Sequence, residues 1–337
     1  ISFRYRVDHV QPINSGADGY QVTVTDLDTE ETAAQKYTHV VVANGHHWSP
    51  KMIDFPGHFD GEITHARTYD TPDDFANKRV LVVGIGNSAV DIAAETSYVS
   101  AQTFLSTRRS AWVLPRFAFG KPIDQFDTPL GARLPLWIKR AIYKSIVAVS
   151  VGNQENYGIR KPQHKLLSEH PTMSSSLLER AAHGEVIVKP NIQELRGDRV
   201  LFEDGSEEEI DSIVMATGYY IKFPFFDEHV VNAPDNQISL YRRMIHPDYA
   251  NLYFVGLFQV LGAMMPIAEL QGKWVAKLVG GSVSLPDPES MRAIIKKDQQ
   301  AMARRYVHST RHTIQVDYWP YIFELRRAVA GKLDRSK

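Results

Sequence analysis

The sequence predicts a mixed α/β fold in which a dinucleotide-binding domain is inserted into an outer domain. Residues 79–106 read strand, glycine turn, helix, strand, the alternation that a parallel sheet requires. Two apolar runs, VVVANG ending at Gly45 and IVMATG ending at Gly218, flank that unit and close alike on Ala-x-Gly. A chain that leaves an outer sheet at one strand and returns at the next leaves this trace. The length, 337 residues, allows about two domains.

Composition narrows the classes. With 43% hydrophobic and 23% charged residues the chain can bury a sizeable core. A formal net charge of -1 gives no electrostatic reason to expect nucleic acid or an anionic membrane as partner. There is no cysteine, so disulfides, thiolate metal sites and thiol nucleophiles are excluded, and a reducing, cytoplasmic location is expected. The chain opens at Ile1 on the strand-like ISFRYRV with no signal peptide ahead of it, which reads as a chain cut in mid-strand. The longest apolar stretch, Leu252 to Ala268, carries Gly256, Gln259, Gly262 and Pro266 and is shorter than the ~20 residues a membrane span needs. It reads as a buried strand running into a loop and helix.

Residues 3–7 and 20–26 alternate apolar and polar around Asn14, Gly16, Asp18 and Gly19, which predicts an antiparallel pair with one wet face. The β-branched run at 38–45 predicts a strand covered on both faces. Residues 50–77 are irregular. Then come a strand at 79–83, a helix at about 87–98 and a strand at 102–106. Residues 107–185 mix helical stretches with loops. Strands follow at 211–219 and 251–256, and helical pattern runs over 264–279 and 288–305. The inserted domain is placed at 78–213, and residues 1–77 and 214–337 form the outer one.

The turn Gly84-Ile85-Gly86-Asn87-Ser88-Ala89 has the form GxGxxA. Its first glycine permits the tight turn and its second lets backbone approach a pyrophosphate. The small Ala89 lets helix and strand pack closely, and the free N–H groups at the helix start face the phosphates. An NAD site carries an acid about 20 residues on; here the second strand runs into Thr107-Arg108-Arg109. Two guanidiniums suit a 2′-phosphate, so NADP(H) is favoured over NAD and FAD at this turn.

Two rival sites fall away. Val90 stands where the nucleophile elbow G-x-S-x-G has its second glycine. His308 and His312 have the i, i+4 spacing of a zinc protease, but Ser309 occupies the place of its glutamate and no third ligand is evident, so no metal is expected.

Several further motifs carry a resemblance. FDGEITHARTY places Phe59, Gly61, His65 and Tyr69 in the FxGxxxHxxx[FWY] pattern of flavin-dependent monooxygenases that use NADPH and O2. VLVVGIGNSAVDIAAE, FLSTRRSAWVLPR, MATGY and VGLFQVLGAMMPIAELQGKW resemble, in order, that family's NADPH motif, the stretch after it, its linker and its FAD-domain return. The chain thus resembles the flavin-containing monooxygenases. Tyr69 separates them from the Baeyer–Villiger branch, which usually has Trp there and acts on ketones.

The resemblance implies two Rossmann-like dinucleotide-binding domains, an NADPH domain inserted into an FAD domain that lacks its own N-terminal GxGxxG. It implies FAD and NADP(H) as cofactors. It also implies oxygenation of a small nucleophilic substrate, an amine nitrogen or a sulfide sulfur, by O2 through a flavin C4a-hydroperoxide. A Baeyer–Villiger-type oxygenase, disfavoured by Tyr69, and an NADP-binding module without oxygenase activity both stay open, the second because the FAD fingerprint is missing. No catalytic side chain carries over. Gly84, Gly86, Asn87, Ser88 and Ala89 are expected at the NADP phosphates and Arg108 and Arg109 at the 2′-phosphate. Thr217 and Gly218 are expected at the hinge on the nicotinamide side. Ala43, Asn44, Gly45 and Gln259 are the expected FAD contacts, with backbone groups of Val7 at the adenine. Phe59, Gly61, His65 and Tyr69 are expected to act structurally, and a homodimer is the family's assembly.

Overall fold

The computed structural model describes residues 1–306 and 313–333. The chain forms two compact units: Pro50–Tyr219, and Ile1–Ser49 together with Tyr220–Lys337.

The continuous unit is built on a five-stranded, wholly parallel sheet. Its order is Val186–Lys189, Gln102–Ser106, Arg79–Val83, Ser212–Met215, Glu62–His65. The central runs are apolar throughout because both faces are covered. Val80, Val82, Leu105 and Val214 point to one face, into a core shared with helices Asn87–Thr96, Leu136–Ser150 and Ser176–Ala182. Leu81, Val83, Phe104 and Ile213 point to the other, against Ile192, Leu195, Val200 and Phe202. These last belong to a small sheet formed by Gly57–Phe59, Ile192–Gly197, Arg199–Phe202 and Glu207–Glu209. Period-two alternation thus feeds two separate cores from one strand.

This arrangement corrects two expectations. IVMATG is not the outer-domain twin of VVVANG. Ser212–Met215 sits inside the parallel sheet, hydrogen-bonded on both sides, and all four of its residues are buried. The irregular stretch 50–77 supplies two strands to this unit, Gly57–Phe59 and Glu62–His65, each too short for alternation to show. The unit boundaries therefore fall at 49/50 and 219/220 rather than at 77/78 and 213/214.

The second unit opens with a meander, Tyr5–Pro12, Tyr20–Asp26 and Thr32–Tyr37, in which Val10 faces Val22 and Val7 faces Val24, with a register shift between Val7 and His9. Its third strand is exposed at every residue, so no hydrophobic period announces it. Val40–Val42 pairs in parallel with Leu252–Phe254. Val41 is 47% exposed, so the run is not covered on both faces as expected; the parallel pair has only two strands among the described residues. Helices Met265–Val279 and Pro288–Arg305 fall within a residue of the expected spans, and Tyr318–Val329 adds a third. Trp274, Val275, Met291, Tyr321, Ile322 and Leu325 pack together between them. Asp287 caps the second helix, accepting from Ser290 N–H at 2.9 Å, with a proline in its first turn.

No helix among the described residues is long and apolar enough to cross a membrane. Residues 252–268 form a strand, a loop, a two-residue strand and a helix start. His308 and His312 lie outside the described residues. Leu81 is fully buried in the sheet's second core. Replacing it with alanine should cost about 3 kcal/mol through the cavity left behind, read as a lower denaturation midpoint by circular dichroism.

Candidate functional site

Gly84 follows Arg79–Val83 directly, and its N–H continues the ladder by donating to Ser106 O at 2.9 Å. Its φ is +134°, and a Cβ there would stand 2.5 Å from Ala216 O, so only glycine fits. Ala89 is buried against the same turn, 3.4 Å from that Cβ position, which explains the small residue. Gly86 is the N-cap of the Asn87–Thr96 helix with φ −77°, a conformation open to any residue, and it offers no capping side chain. Its use is therefore the bare approach it gives to the first-turn amides. The first turn holds no acid, and Asn87 and Ser88 are exposed. The result is an uncapped, dipole-positive helix start whose free backbone N–H groups suit an anion.

Arg108 and Arg109 emerge where the neighbouring strand Gln102–Ser106 ends. The loop under them is pinned: Thr107 N–H donates to Lys189 O at 3.1 Å, and Ser110 N–H donates to Thr107 Oγ1 at 3.2 Å. Both arginines are exposed and neither has an ion-pair partner among the described residues. Paired guanidiniums on an anchored loop one strand away from the glycine turn are placed to take a second phosphate.

His65 ends the edge strand and is buried. Its Nδ1 lies 3.0 Å from Arg67 N–H, which can only donate, so Nδ1 accepts and Nε2–H donates to Gly218 O at 3.0 Å. The ring is held neutral with both nitrogens used, and burial pushes its pKa down. Gly218 O also accepts from Lys51 N–H at 3.0 Å, and the Thr217 hydroxyl donates to Lys51 O. Tyr69 donates to Glu95 Oε2 at 3.0 Å and stacks on Phe75. A Cβ on Gly61 would meet Asp211 O at 2.4 Å, and Phe59 is buried in the second core. His65, Thr217 and Gly218 thus form one hydrogen-bonded knot, while Phe59, Gly61 and Tyr69 pack.

In the other unit, Ala43, Asn44 and Gly45 follow the carboxyl end of Val40–Val42 and are exposed. Gly45 has φ +71° with open space about it, and Asn44 Nδ2 reaches Lys222 O at 3.4 Å. Gly256, which sequence reasoning did not single out, follows the partner strand with φ +80°. Its N–H donates to Gln271 Oε1 at 2.8 Å; Gln271 is buried and donates to the Tyr321 hydroxyl at 2.9 Å, which donates to Arg242 O at 2.9 Å. Open crevices at the carboxyl ends of parallel strands are where dinucleotides lie, so these residues fit part of an FAD site. Gln259 starts a separate pairing with Gln315, and Val7 lies on the meander, so neither joins that strand end directly. Among the described residues no cluster of three metal-ligating side chains occurs.

With that geometry in place, the comparisons decide the family. The family model described as "FMO-like: Flavin-binding monooxygenase-like" matches residues 1–335. The chain belongs to this family. It is 37% identical to flavin-containing monooxygenase 5 of Cavia porcellus, over 98% of this chain and 64% of that protein. It is likewise 37% identical to dimethylaniline monooxygenase [N-oxide-forming] 2 of Oryctolagus cuniculus, over 99% of this chain and 64% of that protein. The chain therefore spans a little under two thirds of the length of these curated relatives. In fold it is similar to the S-allyl-L-cysteine S-oxygenase of Allium sativum, with a TM-score of 0.66 at 21% identity, over 98% of this chain and 61% of that one.

One titratable group beside the Ala43–Gly45 segment was not foreseen. His46 is buried, its Nδ1 has no hydrogen-bond partner among the described residues, and His47 packs edge-on at 4.1 Å. Burial first, and His47 second, push its pKa from 6.5 down to about 4. The unfolded chain takes this proton near pH 6.5 and the folded one only near 4, so the unfolded state binds more protons in between. Stability is therefore full above pH 6.5 and falls as pH drops toward 4, by about 3 kcal/mol from this group. Replacing His46 with leucine should flatten that part of the pH profile of the urea midpoint; an unchanged slope would show that His46 is not the group responsible.

Proposed function

We propose that the protein is an NADPH- and FAD-dependent monooxygenase that places one oxygen atom of O2 on a small soft nucleophile, an amine nitrogen or a sulfide sulfur. The observation that carries this is the pairing of an acid-free GxGxxA helix start with Arg108 and Arg109 on the loop after the next strand, in a chain of the flavin-binding monooxygenase-like family. The relatives' names, an N-oxide-forming dimethylaniline monooxygenase and an S-oxygenase, support the substrate class.

When bound, FAD and NADPH supply the hydride transfer and oxygen chemistry. The chain's own residues bind and orient. Gly84 and Gly86 clear the backbone for the NADP diphosphate, and the amides of Asn87, Ser88 and Ala89 receive it. Arg108, with Arg109 beside it, neutralises the 2′-phosphate. Ala43, Asn44, Gly45 and Gly256 receive part of FAD at the strand ends of the second unit, with Gln259 and Val7 as further contacts. Gly218, held by His65, and Thr217, held by Lys51, set the linker on the nicotinamide side. A cytoplasmic location and assembly as a homodimer complete the proposal, the first from the cysteine-free composition and the second from the family.

Two outcomes are expected. Arg108→Ala should weaken NADPH binding by about 10- to 100-fold, since a charged phosphate contact is worth ~1.5–3 kcal/mol, while NADH binding changes little. Equal loss for both nucleotides in calorimetric titration would remove Arg108 from the 2′-phosphate. In the flavin-loaded protein, the flavin absorbance band should bleach on addition of NADPH. In air, a tertiary aromatic amine or a thioether should then yield N-oxide or sulfoxide by mass spectrometry; bleaching without oxygenated product would overturn the oxygenase proposal.

A further inference from the structure

The glycine turn is held from behind by a strand that arrives from almost ninety positions further along the chain. After Ser106 the chain makes a long excursion and returns as Thr172–Met173, which pairs in parallel with Val113–Leu114. Thr172 is fully buried; its N–H donates to Trp112 O at 2.9 Å and its hydroxyl donates to Ile85 O. The next N–H, of Met173, donates to Asn87 Oδ1 at 2.9 Å. These two contacts bracket Gly86, one on either side.

A trans peptide points its C=O and its N–H in opposite directions. Holding the Ile85 carbonyl toward buried Thr172 therefore turns the Gly86 N–H the other way, to the open side of the turn. An anion there needs N–H groups; a carbonyl swung into the same place would repel it. Glycine at 86 removes the steric barrier that would otherwise choose between the two orientations. Something outside the turn must choose, and the Thr172 hydroxyl is in position to do so. Asn87 contributes the second tie through its side-chain oxygen, which leaves its backbone N–H for the ligand.

We infer that Thr172 is a positioning residue for the nucleotide diphosphate. It acts through the Ile85–Gly86 peptide and never touches the ligand, and Asn87 supports it through Met173. The inference rests on the dinucleotide site proposed above. Because the diphosphate is common to NADP+ and NAD+, losing the brace weakens both alike, unlike the loss of Arg108.

The test compares Thr172→Val, which keeps the volume and loses the hydroxyl, with Thr172→Ser, which keeps the hydroxyl. Binding of NADP+ and of NAD+ to the full chain is measured by calorimetry, and the Gly86 amide is followed by 15N-resolved NMR. Thr172→Val should bind both nucleotides about tenfold more weakly and shift the Gly86 resonance, and Thr172→Ser should restore both. A Thr172→Val protein that binds as tightly as its parent overturns the inference alone. A parent that binds no NADP+ overturns the dinucleotide site, and the inference with it. Should Thr172→Val fail to fold, Asn87→Ala at an exposed position carries the test: several-fold weaker binding of both nucleotides supports the brace, and unchanged binding overturns it.

Discussion

Everything at the candidate NADP site depends on five strands running the same way. In a wholly parallel sheet every carboxyl end lies on one edge, so His65, Val83, Ser106, Lys189 and Met215 finish side by side although they span 150 positions of sequence. The ladder continues one residue further: Ala66 N–H reaches Met215 O, Ala216 N–H reaches Val83 O, Gly84 N–H reaches Ser106 O, and Thr107 N–H reaches Lys189 O, all within 2.9–3.1 Å. Those bonds carry the regularity of the sheet into the loops. The glycine turn, the arginine loop and the Thr217–Gly218 linker therefore emerge from anchored backbone, which is what a site needs if its geometry is to be set before a ligand arrives.

The same edge has a consistent sign. A helix start contributes unpaired N–H groups and the positive end of a dipole, and two guanidiniums follow one strand away. The whole chain has a formal charge of only -1, so the attraction for a phosphorylated ligand is local and not a property of the overall field. Close backbone approach matters as much as charge: at Gly84 the neighbouring Ala216 carbonyl leaves no room for a methyl group.

How much of this is legible in the sequence follows the range of the interactions. The strand–turn–helix–strand stretch is legible because its signals are local: short apolar runs, glycines at fixed offsets, and an arginine pair where an acid would otherwise stand. The helices at 265–279 and 288–305 are legible for the same reason, the second with its Asp287 cap and Pro288. Glu62–His65 is four residues long and Gly57–Phe59 three, and no period can be read from so few positions; only pairing partners far away make them strands. The central place of Ser212–Met215 is likewise a long-range fact, since a strand buried on both faces reads alike in either unit. Thr172 is the extreme case: a threonine in an irregular stretch acquires its role from a carbonyl almost ninety positions earlier.

The polar side chains at this edge also decide what kind of chemistry it can support. His65 spends both nitrogens on backbone, Thr217 gives its hydroxyl to Lys51, Asn87 gives its oxygen to Met173, and Tyr69 is bonded to Glu95. What stays exposed is the helix start, the Ser88 hydroxyl and the two arginines, with Arg67, Asp70 and Glu95 exposed nearby on the same loops and helix. The helix start and the arginines offer donors, since a backbone N–H donates and a guanidinium accepts nothing. Those donors suit the holding and orienting of an anionic cofactor. The side chains tied to backbone, His65, Thr217 and Asn87, hold that surface in shape.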